Sequence, residues 1–234
     1  MLLSSRILKK LGGKNLRLTR RLIMARVLII GASKGIGLET VRSALEAGHQ
    51  VRALARSATS ISLTHPQLEK VRGNALVRED VEAALQGVDV VIQTLGVSFA
   101  ELFWPVHLFS DATRVLVAAM AARGVKRLIC VTGFGAGDSR DSISVLQRLP
   151  FHAVFGRAYA DKSIQEQLIK ETTLDWTIVR PGVLTGGVRT GRYQALDQPS
   201  QWRNGIIARA DVADFCVKQI GNPASVRKAY VLVN

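Results

Sequence analysis

Val27-Leu28-Ile29-Ile30-Gly31-Ala32-Ser33-Lys34-Gly35-Ile36-Gly37 is a short apolar strand running into a glycine-rich turn. Beyond it Ile36, Leu38, Val41 and Leu45 recur at roughly helical spacing. Strand, tight turn and helix N-terminus together make a phosphate cradle. Gly31 lets the chain turn sharply, Gly35 lets backbone approach a pyrophosphate, and Gly37 lets the helix pack on the strand. The free N–H groups and positive dipole end of the helix then face the anion. The segment Gly31, Ala32, Ser33, Lys34, Gly35, Ile36 and Gly37 is therefore expected to hold a dinucleotide.

The same alternation continues along the chain. Gln50 to Ala55, Leu68 to Val71, Val88 to Ile92, Lys126 to Val131, Trp176 to Val179 and Ala229 to Val233 read as further strands. Between them, Glu79 to Gln86, His107 to Ala122, Ala158 to Lys170 and Asp211 to Gln219 read as helices, the last capped by Asp211. Strands alternating with helices predict a parallel, doubly wound α/β sheet of the Rossmann kind. Residues 25–234 show no repeat or linker that would split them, so one domain is expected. The substrate pocket is expected beyond the carboxyl ends of the strands, near Pro181, Gly182 and Val183. Phe99, Phe103, Trp104 and Phe134 are candidates to line its mouth.

Arg56 lies at the end of the second strand, 19 positions after Gly37. An NAD-specific site usually places Asp or Glu near this point to accept from the ribose 2′-hydroxyl. The run Val51-Arg52-Ala53-Leu54-Ala55-Arg56-Ser57 has neither. A guanidinium there would grip a 2′-phosphate with paired charge-assisted bonds, whereas a carboxylate would repel it. NADP(H) is the expected cofactor, with Lys34 adding a second positive contact. The competing reading of Arg56 is an ordinary solvated arginine.

At 234 residues and 47% hydrophobic content, the chain can build one ample core. No stretch approaches the roughly 20 apolar residues of a membrane span. Cys130 and Cys216 read as buried reduced thiols, which fits a cytoplasmic setting. The four histidines lack metal-ligand spacing, and no metal site is expected. The charge is uneven: 32 basic against 18 acidic residues give +14, yet residues 1–23 hold seven of the basic ones and no acid. This leader, up to Met24, is expected to lie outside the fold. A basic arm touching a membrane surface or nucleic acid, a transit peptide, and upstream sequence read from a wrong start all remain open for it. No specific nucleic-acid partner is expected. Deleting residues 1–23 should leave folding and nucleotide binding intact; an insoluble truncated protein, or one that no longer binds nucleotide, would overturn this reading.

Further segments carry a resemblance. Gly73-Asn74-Ala75, Thr94-Leu95-Gly96, Gly124 to Gly133, Ala160-Asp161-Lys162, Asp175 to Gly182 and Arg209 to Ala213 together resemble the atypical short-chain dehydrogenases/reductases. That group includes NAD(P)H-binding proteins, NmrA-like regulators and biliverdin/flavin reductase-like enzymes. The resemblance covers residues 25–234. It implies that Asn74 and Ala75 meet the adenine and that Leu95 and Gly96 pass the cofactor ribose. It also implies that Thr132 stands where the superfamily has its catalytic serine and that Lys162 holds the ribose.

The departures bear on mechanism. The superfamily's acid/base tyrosine precedes the lysine by four residues, where this chain has Ala158. Tyr159 precedes Lys162 by three, which turns its side chain by about 100° from the expected place while leaving it beside the lysine. Tyr159 is a candidate acid/base of small expected weight, against a packing or surface role. Acceptors that take hydride with little acid catalysis fit such a site. The resemblance thus implies an NADPH-dependent reductase of a flavin-, quinone- or carbonyl-type small molecule. The alternative it leaves open is a non-catalytic, redox-sensing NAD(P)-binding regulator.

Overall fold

The computed structural model describes residues 24–98, 100–142 and 145–234; the basic leader lies outside them. Strand β1 (Arg26–Ile30) is flanked on both sides, pairing in parallel with β2 (Gln50–Ala55) and β4 (Val90–Gln93). Its side chains alternate between two buried layers. Val27 and Ile29 join one cluster, Leu28 and Ile30 the other. A strand buried on both faces must be apolar throughout, which is why its sequence reads as a continuous run.

The remaining strands are β3 (Leu68–Arg72), β5 (Arg127–Val131), β6 (Asp175–Pro181), β7 (Val183–Thr185), β8 (Gln194–Leu196), β9 (Ile206–Ala208) and β10 (Lys228–Val233). The main sheet has eight strands in the order β3-β2-β1-β4-β5-β6-β10-β8, parallel except for β8, which runs antiparallel to β10. The helices are α1 (Gly35–Glu46), α2 (Arg78–Ala84), α3 (Leu108–Arg123), α4 (Val145–Lys170) and α5 (Arg209–Lys218). The doubly wound α/β sheet expected from the alternation is thus present. Helices α1 and α5 pack together on one face, with Val41, Ala44 and Leu45 sharing a cluster with Val212, Phe215 and Cys216. Helices α2 to α4 cover the other face.

Three features depart from the sequence reading. The last long helix starts at Val145, well before Ala158. From Ala158 on the helix packs against α3, with Ala158 beside Phe109, and such tertiary contacts outweigh local preferences in setting its length. Strands β7, β8 and β9 have three residues each, too short to show a period of two. Asp211 does not cap α5: the cap is Ala208, and Asp211 is wholly buried in the first turn. Its carboxylate accepts from Thr190 N at 2.8 Å, Thr190 Oγ1 at 2.9 Å and Gly191 N at 2.8 Å, tying down the loop before β8.

Candidate functional site

The carboxyl ends of β1, β2, β4, β5 and β6 open into a cavity of about 680 Å3, within the range of small-molecule and cofactor sites. Its floor is the β1–α1 turn, and this turn is held by its neighbours on both sides. Gly31 N donates to Leu54 O at 3.0 Å, at the end of β2. Thr94, just past β4, donates to Ile30 O through N and through Oγ1, each at 2.9 Å. Gly31 has φ +85°, and a β-carbon on it would lie 2.9 Å from the Thr94 carbonyl oxygen. A β-carbon on Gly37 would fall on the Gly31 carbonyl oxygen and 2.7 Å from Thr94 Oγ1. Strand and helix therefore approach as closely as a glycine permits.

Of the residues assigned to the turn, Gly31, Ser33, Lys34, Gly35 and Ile36 line the cavity. Ala32 instead lies wholly buried in the α1–α5 core, so only its backbone is available to a ligand. Gly37 acts through packing. Arg56, Asn74, Ala75, Leu95, Gly96, Thr132, Tyr159, Lys162 and Pro181 all line the cavity. Gly182 and Val183 do not: a β-carbon on Gly182 would fall on the Gly205 carbonyl oxygen, and Val183 is 56% exposed on the β7–β9 ribbon. Phe134 is buried with Leu196 and Trp202 rather than at the mouth, and Trp104 is 73% exposed outside the lining. Phe99 and the Phe103 side chain lie outside the described residues. The aromatic wall comes instead from Phe109, Phe155 and Tyr159.

Four cations line the cavity, namely Lys34, Arg56, Lys162 and Arg209, and the described lining contains no Asp or Glu. Among the described residues Lys34 and Arg56 have no hydrogen-bond or ion-pair partner for their side chains. Both bear on Glu101, whose carboxyl pKa is lowered chiefly by the Ser98 N–H it accepts and further by these two charges.

The far end of the cavity is built by α4 against β5. Lys162 donates from Nζ to the Thr132 carbonyl oxygen. Its ammonium stands 4.9 Å from the Phe109 ring centroid and 5.3 Å from that of Tyr159, a cation held between two π faces. Burial lowers its pKa to about 8. Asp161, next to it, is bound to the start of α3. Its Oδ2 accepts from Phe109 N at 2.8 Å and Ser110 N at 3.3 Å, capping α3 from 52 residues away and fixing Phe109 against the lysine.

Thr132 lines the cavity and is tied into a buried network. It is 2% exposed, and its hydroxyl donates to Glu166 Oε1 at 2.7 Å, into the protein. Glu166 in turn accepts from Arg180 Nε at 2.9 Å and from Arg180 Nη2, which also reaches Asp138. Thr132 thus offers the site a carbonyl rather than a free hydroxyl. Tyr159 shares the cavity with Ala158, and its hydroxyl packs at Gly133, where an added β-carbon would lie 2.6 Å away. Burial raises its phenol pKa to about 12. Glu166 has no signal in the sequence, and Asp161 and Arg180 enter it only as members of the segments that carry the resemblance, because each acts on a partner distant in the chain.

The fold and this carboxyl-edge cavity define a Rossmann-type dinucleotide-binding protein. The profile of a family described as NAD(P)H-binding matches residues 31–223. The chain belongs to that NAD(P)H-binding family, of the atypical short-chain dehydrogenase/reductase kind. It is 28% identical over 211 residues to the uncharacterized sugar epimerase YhfK of Bacillus subtilis, covering 88% of this chain and 93% of that one. It is 24% identical over 216 residues to the photosystem II assembly factor Ycf39 of Synechocystis, covering 89% of this chain but only 62% of the longer relative. Among solved structures, the anaerobilin reductase ChuY of Escherichia coli O157:H7 matches with a TM-score of 0.74 and 29% identity, over 89% of this chain and 96% of that one. No helix among the described residues is long and apolar enough to cross a membrane.

Proposed function

We propose that the protein is an NADPH-dependent reductase of a small conjugated acceptor, of the flavin, quinone or carbonyl type. The observation that carries this reading is the cavity itself: four cations and no carboxylate among its described lining, with Arg56 and Lys34, whose charges bear on Glu101 but which have no hydrogen-bond or ion-pair partner among the described residues, at the end where a 2′-phosphate would lie. A dinucleotide bearing that phosphate matches the wall in charge. ChuY, a reductase that this chain matches over nearly its whole length, supports the reductase class. The glycine turn would hold the diphosphate, Asn74 and Ala75 the adenine, and Lys162 the nicotinamide ribose. When bound, the reduced nicotinamide supplies a hydride, and the acceptor takes its proton from solvent. The chain's part is to orient the two reactants, with Phe109 and Phe155 walling the apolar end.

The commitment of the Thr132 hydroxyl to Glu166 favours a second reading, a cofactor-binding sensor without turnover. Following NADPH absorbance with a panel of flavins, quinones and carbonyls separates the two: turnover supports the reductase, and tight cofactor binding with no turnover supports the sensor.

Cofactor choice is tested by Arg56→Ala. Losing a charge-assisted phosphate contact should weaken NADPH by about 1.5–3 kcal/mol and hardly change NADH. Equal losses for both nucleotides, or tighter NADH binding in the wild type, would refute the assignment.

Lys162 and Tyr159 should behave differently. Lys162→Ala should weaken cofactor binding and turnover together, since it removes binding and orientation at once. The ammonium is the donating form, present below its pKa of about 8, so NADPH affinity should fall as pH rises through that value. The variant should lack that fall. Tyr159→Phe should leave turnover within a few-fold, because a phenol held near 12 is a poorly matched acid at neutral pH. A loss of roughly 100-fold would make Tyr159 the general acid and carbonyl reduction the favoured reaction.

A further inference from the structure

Helices α1 and α5 both begin at the carboxyl edge of the sheet and run parallel, packed through the shared cluster of Val41, Leu45, Val212 and Phe215. Their first turns therefore face one stretch of the cavity, and Ile36 of α1 and Arg209 of α5 both line it, with Pro181 and Leu184 between. Arg209 is half-buried, and among the described residues its side chain has no hydrogen-bond or ion-pair partner. This is not for want of acids on its own helix. Asp211 is satisfied by Thr190 and Gly191. Asp214 takes Tyr193 Oη at 2.7 Å and Lys218 Nζ at 2.6 Å, with Arg189 at 3.9 Å. Both carboxylates are turned from the cavity, and the guanidinium is left with its charge facing the space.

The other three cations are accounted for. Lys34 and Arg56 belong to the adenosine end, beside Ser33, Ser57 and Asn74, and Lys162 is held at Thr132 and the two rings. We propose that Arg209 is a second anchor for the dinucleotide's diphosphate, gripping it from the side opposite the glycine turn. This rests on the cofactor reading above. The α1 turn offers the diphosphate backbone N–H groups and a partial positive charge. A planar guanidinium across from it supplies a full charge and paired donors to the nicotinamide-side phosphate.

Equilibrium binding of NADPH and of 2′,5′-ADP to wild type, Arg209→Gln and Arg209→Lys tests the assignment. The smaller nucleotide keeps the 2′-phosphate and adenosine but lacks the nicotinamide-side phosphate. Arg209→Gln should weaken NADPH about tenfold, leave 2′,5′-ADP within about twofold, and reduce the salt dependence of NADPH binding, with Arg209→Lys restoring part of the loss. The melting temperature of the free variants should match wild type, since no protein partner of the side chain is removed. An unchanged NADPH affinity overturns the proposal, including the case in which only the KM for an anionic acceptor rises. Equal loss of both nucleotides overturns it as well. A wild-type protein that binds no NADPH defeats the cofactor reading itself, a result distinct from either.

Discussion

Replacing Arg180 with Met should cost about 3–5 kcal/mol of folding stability, because the substitution leaves a buried carboxylate without its counter-charge. Arg180 is fully buried and Glu166 is 1% exposed. The guanidinium also stacks on Trp202, 4.7 Å from the ring centroid. Against the 5–15 kcal/mol typical of whole domains, such a loss would leave much of the protein unfolded at moderate temperature. Burying a matched pair gains little over apolar packing, so the Arg180→Met, Glu166→Met double variant should recover most of the loss. Urea denaturation of the two variants measures this directly. A single-variant loss under about 1 kcal/mol would show that water reaches the pair.

Gly37→Val should abolish nucleotide binding, by at least about 100-fold, with a fold that is weakened but still formed. The new β-carbon would occupy the place of the Gly31 carbonyl oxygen and press on Thr94 Oγ1. These are backbone and a pinned side chain, so neither can swing aside. The helix must retreat from the strand, and the amide groups of the turn then no longer converge on one point. Nucleotide titration beside a thermal melt separates the outcomes. A variant that binds NADPH within a few-fold of wild type would mean that the turn tolerates a wider gap than its contacts indicate.

The glycine turn, the alternation of strands and helices, and the missing carboxylate at Arg56 are local patterns, and each is legible from a window of about ten to twenty residues. From these the doubly wound sheet and the glycine-turn end of the cavity follow, since a buried parallel strand must be apolar and a close-packed strand–helix turn must be rich in glycine. The far end, between α4 and β5, is different. That the Thr132 hydroxyl turns to Glu166, that Asp161 caps α3, that Thr94 seats the glycine turn, and that Asp211 serves Thr190 and Gly191 so leaving Arg209 free are all pairings across 20 to 64 residues of chain. No periodicity marks such partners. A buried polar group takes whichever donor or acceptor the packed elements bring within reach, and that choice is made only when the helices dock on the sheet.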